Sequence, residues 1–291
     1  MREFDYFAPT SLTDATALLT EHGERAKVLS GGTDLIILMN DEVYAPEVVV
    51  DISRIPELTG ISFDAATGLR IGAATKYRAI ELSADIQRHY PYLQQGASEV
   101  GSVQIRNMGT PGGNIVTASP AGDFLAPLLV GAATVRLASG RGERTVPLDE
   151  FFVGPRQTVM TAEEVLVDIQ LPAPPPRTSG VYYKHCERKQ MDLAYVGVAV
   201  SVTLAAGDGV VEDVRIGLGA VAPTPLRATA AEDAVRGHQL DEATLSDAGR
   251  LAAAATSPIS DVRSSADYRR TMTELLTKRV LQQAATLAAT A

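Results

Sequence analysis

Cysteine is nearly absent from this 291-residue chain, where Cys186 stands alone. One thiol forms no internal disulfide, which excludes a secreted cysteine framework. Nor can it hold an iron–sulfur cluster, which takes several thiolates. Histidine is scarce too: His22, His89, His185 and His238 are scattered, and none has a partner at metal-ligand spacing. A metal site built by this chain alone is therefore not expected. Only five lysines occur and none follows a glycine, so there is no Walker A Gly-Lys-Ser/Thr loop. A Gly-x-Ser-x-Gly nucleophile elbow is also missing. Basic residues are outnumbered, 26 Lys and Arg against 35 Asp and Glu, giving a net charge of −9 and a pI near 5.0. That balance argues against a duplex nucleic-acid binder, and no aromatic ladder suggests single-strand stacking. Hydrophobic runs are short. The apolar stretch Phe124 to Val135 has 12 residues with a proline and a glycine inside it, too few to span a bilayer. The start, Met1-Arg-Glu-Phe-Asp5, lacks an apolar signal core. A cytoplasmic protein without a transmembrane segment is expected.

What is present reads first as mixed α/β. Leu12 to His22 follows Ser11 and carries Ala15, Leu18 and Leu19 at helical spacing, which predicts an amphipathic helix. Lys27 to Leu29 and the β-branched Val48 to Ile52 read as strands. Leu58 to Phe63 and Leu69 to Ala73 read as a hairpin, and Tyr77 to Ser83 and Leu93 to Gly101 as helices. Strands follow at Ala133 to Ala138 and Thr145 to Leu148. Leu171-Pro-Ala-Pro-Pro-Pro-Arg177 places four prolines in five positions, a stiff crossing that neither helix nor strand continues, and the domain boundary is set there. Beyond it, Tyr195 to Leu204 and Val210 to Leu218 pair around Ala206-Gly-Asp-Gly209. Three Ala-rich helical segments come next, near 228–236, 241–255 and 264–287. Strands followed by helices indicate an α+β fold class.

Glycine patterns give the candidate site. Gly217-Leu-Gly219-Ala-Val-Ala222 has the dinucleotide-binding spacing, but Pro223 and Pro225 fall where the required helix would start, so it reads as a strand end and turn. Two diglycine segments remain, Ser30-Gly31-Gly32-Thr33-Asp34 and Gly109-Thr110-Pro111-Gly112-Gly113-Asn114. Paired glycines let backbone approach a ligand without a Cβ in the way, and successive amides in such turns form anion-binding nests. Two nests brought together would grip the two phosphates of a dinucleotide, with the hydroxyls of Thr33, Thr110 and Ser119 as further donors. Spacing alone does not separate this from two ordinary turns.

The flanks do. Gln104-Ile-Arg-Asn-Met-Gly-Thr-Pro-Gly-Gly-Asn-Ile-Val-Thr-Ala-Ser-Pro-Ala-Gly-Asp123 resembles the signature of the FAD-binding medium subunits of molybdenum hydroxylases. That family includes the flavoprotein subunits of xanthine, carbon monoxide and nicotinate dehydrogenases. Val28-Leu-Ser-Gly-Gly-Thr-Asp-Leu35 resembles its first phosphate loop. Phe4 to Leu12, Asp149 to Gly154 and Tyr183 to Lys189 fit as well, so the resemblance spans the whole chain.

It implies an FAD-binding domain of the vanillyl-alcohol-oxidase (PCMH) type over residues 1–173, with a small N-terminal α/β part to about residue 55 and a larger part after it. A C-terminal domain of a small antiparallel sheet with a helical bundle would cover residues 178–291. Cofactor-binding positions carried over are Val28, Leu29, Ser30, Gly31, Gly32, Thr33, Asp34, Leu35, Thr110, Pro111, Gly112, Gly113, Asn114, Ser119, Asp123, Leu166 and Lys184. Asp123 matches a position that holds the FAD, Leu166 an apolar contact, and Lys184 a lysine beside the flavin ring, whose charge would stabilise the reduced ring. Val100 stands where relatives carry an aromatic residue. No residue is expected to be catalytic on the substrate. The implied partners are a large subunit carrying the molybdenum cofactor and a small subunit with two [2Fe–2S] clusters, in a dimer of heterotrimers. Electrons would pass from the clusters to FAD and on to NAD, a quinone or oxygen. The expected substrate is an N-heteroaromatic or a purine, with carbon monoxide or an aldehyde as the alternative. A rival is a stand-alone FAD oxidoreductase of the same fold, but neither diglycine segment carries the His or Cys of a covalent flavin oxidase. A subunit that has lost its flavin is argued against by the intact Gly31, Gly32, Gly112, Gly113 and Asp123.

Overall fold

Ser11 starts the first helix by accepting a hydrogen bond from the Asp14 amide at 3.1 Å, the arrangement that satisfies a free N-terminal donor. In the computed structural model, which describes residues 1–207 and 209–290, that helix is α1 (Leu12–His22) and buries Ala15 and Leu19. It follows β1 (Asp5–Phe7) and precedes β2 (Ala26–Leu29), α2 (Leu35–Asn40) and β3 (Val48–Asp51). The three strands form a parallel sheet in the order β1-β3-β2. The central strand is Val48-Val49-Val50, buried on both faces, as covered parallel strands require.

A second sheet follows. It is entered by the hairpin of β4 (Ile61–Asp64) and β5 (Gly68–Gly72). The first hairpin strand starts later than Leu58, because Pro56–Leu58 forms a 3-10 turn. Six short helices come next: α3 (Tyr77–Leu82), α4 (Ala84–His89), α5 (Pro91–Glu99), α6 (Val103–Arg106), α7 (Pro111–Thr117) and α8 (Leu125–Val130). The chain then returns through β6 (Thr134–Ser139), β7 (Gly142–Pro147), the small pair β8 (Phe152–Gly154) and β9 (Gln157–Thr158), and β10 (Val165–Leu171). The sheet order β4-β5-β10-β6-β7 puts the last strand at the centre.

Asp168 sits in the middle of β10 and is fully buried. It accepts from Arg70 Nε at 2.9 Å on one neighbouring strand and from Arg136 Nε at 3.2 Å on the other, and from Gln170 Nε2 at 3.0 Å. Burial pushes its carboxyl upward, but the bonds from Arg136, Gln170 and Arg70 outweigh that and hold it below the ordinary carboxylate range.

The proline-rich stretch joins β10 to β11 (Thr178–His185), which runs antiparallel to β12 (Val196–Leu204), itself paired with β13 (Val211–Gly219) and the short β14 (Leu226–Arg227). In the turn between β12 and β13, Asp208 lies outside the described residues. Then come α9 (Thr229–Val235), α10 (Glu242–Ala254) and α11 (Ala266–Ala288). These helices cover one face of the sheet, sharing a core with Val198, Val200, Val202, Val214 and Ile216. The other face lies on α5 and α8 of the preceding part. Contact there is close: a Cβ on Gly180 would fall 2.5 Å from the Tyr92 ring. The sheet is thus a middle layer, and β12 is buried on both faces for that reason. Gly217 and Gly219 end β13 and Ala220 turns at φ 65°, so the Gly-x-Gly there opens no helix.

Replacing the central carboxylate by Asp168→Asn is expected to cost about 2–3 kcal/mol of unfolding free energy at pH 7, below the range for a fully buried pair because both arginines are partly exposed. Since the folded pKa is depressed, this contribution is complete above the ordinary carboxylate pKa and lost as pH falls through the folded value. Urea unfolding of both proteins should show a gap at pH 7 that narrows in acid; an equal gap at both would refute the assignment.

Candidate functional site

The first diglycine segment connects β2 to α2. Gly32 has φ +74°, a left-handed conformation that a β-carbon disfavours. Gly31 has no room for a side chain: its Cβ would meet Met108 O at 2.3 Å and Gly109 Cα at 2.9 Å. The two segments therefore touch backbone to backbone. Among the described residues, no acceptor faces the amides of Gly31, Gly32, Thr33 or Asp34, leaving a run of consecutive donors of the kind that binds anions. Val28, Leu29 and Leu35 flank this turn, each half-buried.

The second segment corrects one expectation. It is not an open nest but the first turn of α7, with Pro111 at the first position and Thr110 as cap. Thr110 Oγ1 accepts from the Gly113 amide at 3.2 Å, the Gly112 amide donates to Ala73 O at 3.0 Å, and the Asn114 amide to Thr110 O at 3.1 Å. Those amides are already bonded within the protein, because a threonine followed by proline starts a helix. Side chains join the segments: Thr110 Oγ1 donates to Ser30 Oγ at 3.3 Å, and Thr117 Oγ1 to Asp34 Oδ2 at 3.4 Å. The two glycines also differ. A Cβ on Gly112 would lie 2.7 Å from both Cβ and O of Ala73, whereas one on Gly113 meets only Thr110 Oγ1, at 3.1 Å. A bulky replacement of Gly112 therefore disturbs the fold, whereas one at Gly113 meets only a side-chain hydroxyl.

Asp123 and Lys184 are brought together from 61 residues apart. The Lys184 ammonium, 3% exposed, donates to Asp123 Oδ2 at 2.8 Å and to Glu99 O at 3.2 Å. Tyr182 OH donates to Asp123 Oδ1 at 3.2 Å, and the Tyr182 amide to Gln95 Oε1 at 2.7 Å. Burial pushes the Asp123 carboxyl up to about 6, against the downward pull of Lys184 and Tyr182. Ser119 is half-buried in the turn before Asp123, where its carbonyl accepts from the Gly122 amide at 2.9 Å. Leu166 lies on β10 opposite Leu137, packed in the core of the second sheet.

Among the described residues, two further polar atoms in this region are buried without a partner, Asn114 Oδ1 and Tyr77 OH. Tyr77 was not legible as a site residue, since nothing in the sequence separates a core tyrosine from one reserving its hydroxyl. Buried polar groups are ordinarily satisfied, so a free carbonyl and a free hydroxyl beside a row of free amides fit a polar, phosphate-bearing cofactor such as FAD.

Bare amides, close glycine backbones and a buried ammonium–carboxylate pair are features that suit a dinucleotide cofactor, carried by an α+β protein. The sequence matches the FAD binding domain in molybdopterin dehydrogenase over residues 2–174 and the CO dehydrogenase flavoprotein C-terminal domain over residues 181–284. The chain belongs to this family, the FAD-binding medium subunits of molybdenum hydroxylases. It is 36% identical to the carbon monoxide dehydrogenase medium chain of Hydrogenophaga pseudoflava, covering 97% of this chain and 96% of that one. The xanthine dehydrogenase FAD-binding subunit of Escherichia coli O157:H7 is 32% identical, over 96% and 95% of the two chains. Among solved structures, carbon monoxide dehydrogenase from Hydrogenophaga pseudoflava superposes with a TM-score of 0.94 at 38% identity, covering 99% and 98%. Quinoline 2-oxidoreductase from Pseudomonas putida 86 gives 0.91 at 30%, with the same coverage. The chain is thus a flavoprotein subunit of a molybdenum-dependent oxidoreductase. Among the described residues no helix is long and apolar enough to cross a membrane.

The Asp123–Lys184 pair generates a pH prediction. A carboxyl whose folded pKa is raised favours the folded state below its unfolded pKa and loses that contribution as pH rises through the folded value, here about 6. Lys184→Met removes the counter-charge and moves this loss to higher pH. The difference in urea-unfolding free energy between cofactor-free wild type and variant should therefore widen with rising pH, and that pH dependence should vanish in Asp123→Asn backgrounds. A pH-independent difference would rule out the coupling.

Proposed function

We propose that this chain is the electron-relay subunit of a heteromeric hydroxylase, with FAD held in a domain of residues 1–173 and a C-terminal domain of residues 178–291 closing the site with Lys184. One observation carries the reading: the chain combines a dinucleotide cofactor site with a single cysteine, too few thiolates for an iron–sulfur cluster. The metal centres therefore belong to other chains. A small subunit with two [2Fe–2S] clusters delivers electrons, and a large subunit with the molybdenum cofactor oxidises the substrate. Bound FAD supplies the junction between one-electron carriers and a two-electron acceptor, which is NAD, a quinone or oxygen.

The residues divide the work. The free amides of Gly31 to Asp34 and the hydroxyls of Thr33, Thr110 and Ser119 receive the pyrophosphate. Asn114 Oδ1, buried without a partner among the described residues, accepts from a donor of the cofactor, and Asp123 accepts from its hydroxyls. Lys184, fixed by Asp123 and Glu99 O, places a positive charge beside the ring and favours reduction. Val28, Leu29, Leu35, Pro111 and Leu166 bound the site with apolar surface, and Gly112 and Gly113 keep it open. Substrate is oxidised on the partner chain, so no residue here touches it. The class proposed is an N-heteroaromatic or a purine. Carbon monoxide is the second reading, favoured by the 36% identity to carbon monoxide dehydrogenase medium chains.

An absorption spectrum of what co-purifies with the tagged chain from its host tests the assignment. Flavin bands with broad iron–sulfur absorption and two further polypeptides are expected, in an assembly of two heterotrimers. Flavin on a lone chain would instead indicate a stand-alone oxidoreductase. Assaying that assembly with purines, N-heteroaromatics, aldehydes and carbon monoxide identifies the substrate. Gly113→Val is expected to lose FAD while its far-ultraviolet circular dichroism is unchanged; full FAD occupancy in the variant would count against the cradle.

A further inference from the structure

Among the described residues the hydroxyl of Tyr77 has no partner, although Tyr77 is only 1% exposed. A buried hydroxyl in that state destabilises the chain that carries it, so its position is informative. Tyr77 opens α3, with its own amide donating to Gly109 O at 3.1 Å. Its ring stands edge-on to Phe124, the neighbour of Asp123, at 5.2 Å between centroids. A Cβ on Gly109 would meet Tyr77 Cδ2 and Thr33 Oγ1 at the same distance, 3.5 Å. The ring is therefore wedged where the first diglycine segment, the backbone before Thr110 and the Asp123 turn converge. Burial, then the charges of Asp123 and Asp34, hold the phenol protonated far beyond neutral pH. It is a donor with nothing to donate to, surrounded by the other groups that await the cofactor.

We propose that Tyr77 is a further FAD-binding residue, whose hydroxyl donates a hydrogen bond to an oxygen of the cofactor where it passes between the two diglycine segments. The inference rests on the reading that FAD lies between those segments. It also yields a sign that a structural tyrosine would not give. In the cofactor-free chain the hydroxyl serves no bond, so removing it costs the fold nothing; in the loaded protein its removal deletes a contact.

The test is Tyr77→Phe, made in the full chain and assembled with its partner subunits, stripped of FAD and titrated with FAD by flavin fluorescence. A rise in Kd of about tenfold or more is expected for one hydrogen bond to a charged acceptor. The thermal midpoint of the FAD-free variant chain should equal or exceed that of the wild type. A Kd raised less than about threefold overturns the proposal. So does a lowered FAD-free midpoint, which would show the hydroxyl bonded within the protein, directly or through a buried water. Gly113→Val run in parallel separates the two readings. If that variant keeps FAD while Tyr77→Phe loses it, the cradle is misplaced and the tyrosine contact stands; the reverse outcome keeps the cradle and removes Tyr77.

Discussion

The candidate site depends on two stretches of backbone, far apart in sequence, that approach to a distance no side chain permits. Gly31 lies against Met108 and Gly109 so closely that a single β-carbon would collide with the carbonyl of Met108. Among the described residues the amides of Gly31 to Asp34 have no protein acceptor, and the capped turn of α7 is joined to this segment through Ser30 and Asp34. Free amides are costly inside a protein unless something else satisfies them. An anionic cofactor is the kind of group that would satisfy them.

The second constraint is electrostatic. Lys184 lies on β11 of the C-terminal sheet and Asp123 in the turn before α8, and both are largely buried. A buried ion pair is weak evidence of stability, because desolvation offsets its attraction. Its arrangement here instead serves positioning. Glu99 O and Asp123 hold the ammonium, Tyr182 holds the carboxylate, and Gln95 holds the Tyr182 backbone. These links run from α5 to β11, across the seam between the two larger parts of the chain. A charge fixed in this way needs no reorganisation when charge develops nearby, which is the condition under which electrostatic stabilisation is most effective.

The C-terminal sheet explains why such a seam holds. It is covered by helices α9 to α11 on one side and by α5 and α8 on the other, so its strands lose water from both faces. Gly180 lets β11 press against Tyr92. The strand that carries Lys184 is thereby held against the site by packing rather than by the ion pair alone.

Much of this was legible in the sequence. The helix of residues 12–22, the strand of valines at 48–50 and the pairing of β12 with β13 follow from local periodicity, and local hydrogen bonding decides such elements. The glycine pairs and their flanks pointed to the cofactor and the family because each glycine reports a backbone requirement that no other residue meets. The short helices α4, α6, α7 and α8 were not legible, being one or two turns long and stabilised by burial rather than by a repeating pattern. Nor were the long strands β10 and β11, which adjoin the prolines at 172–176. Only the tertiary structure showed that the Gly112 to Asn114 amides are bonded and those of Gly31 to Asp34 are free, since an amide's partner depends on which distant carbonyl lies beside it. It alone brought Lys184 to Asp123 and left the Tyr77 hydroxyl unsatisfied. The sequence by itself determined which backbones would lie bare; the three-dimensional packing decided what would face them, because burial and hydrogen bonding are properties of neighbours in space.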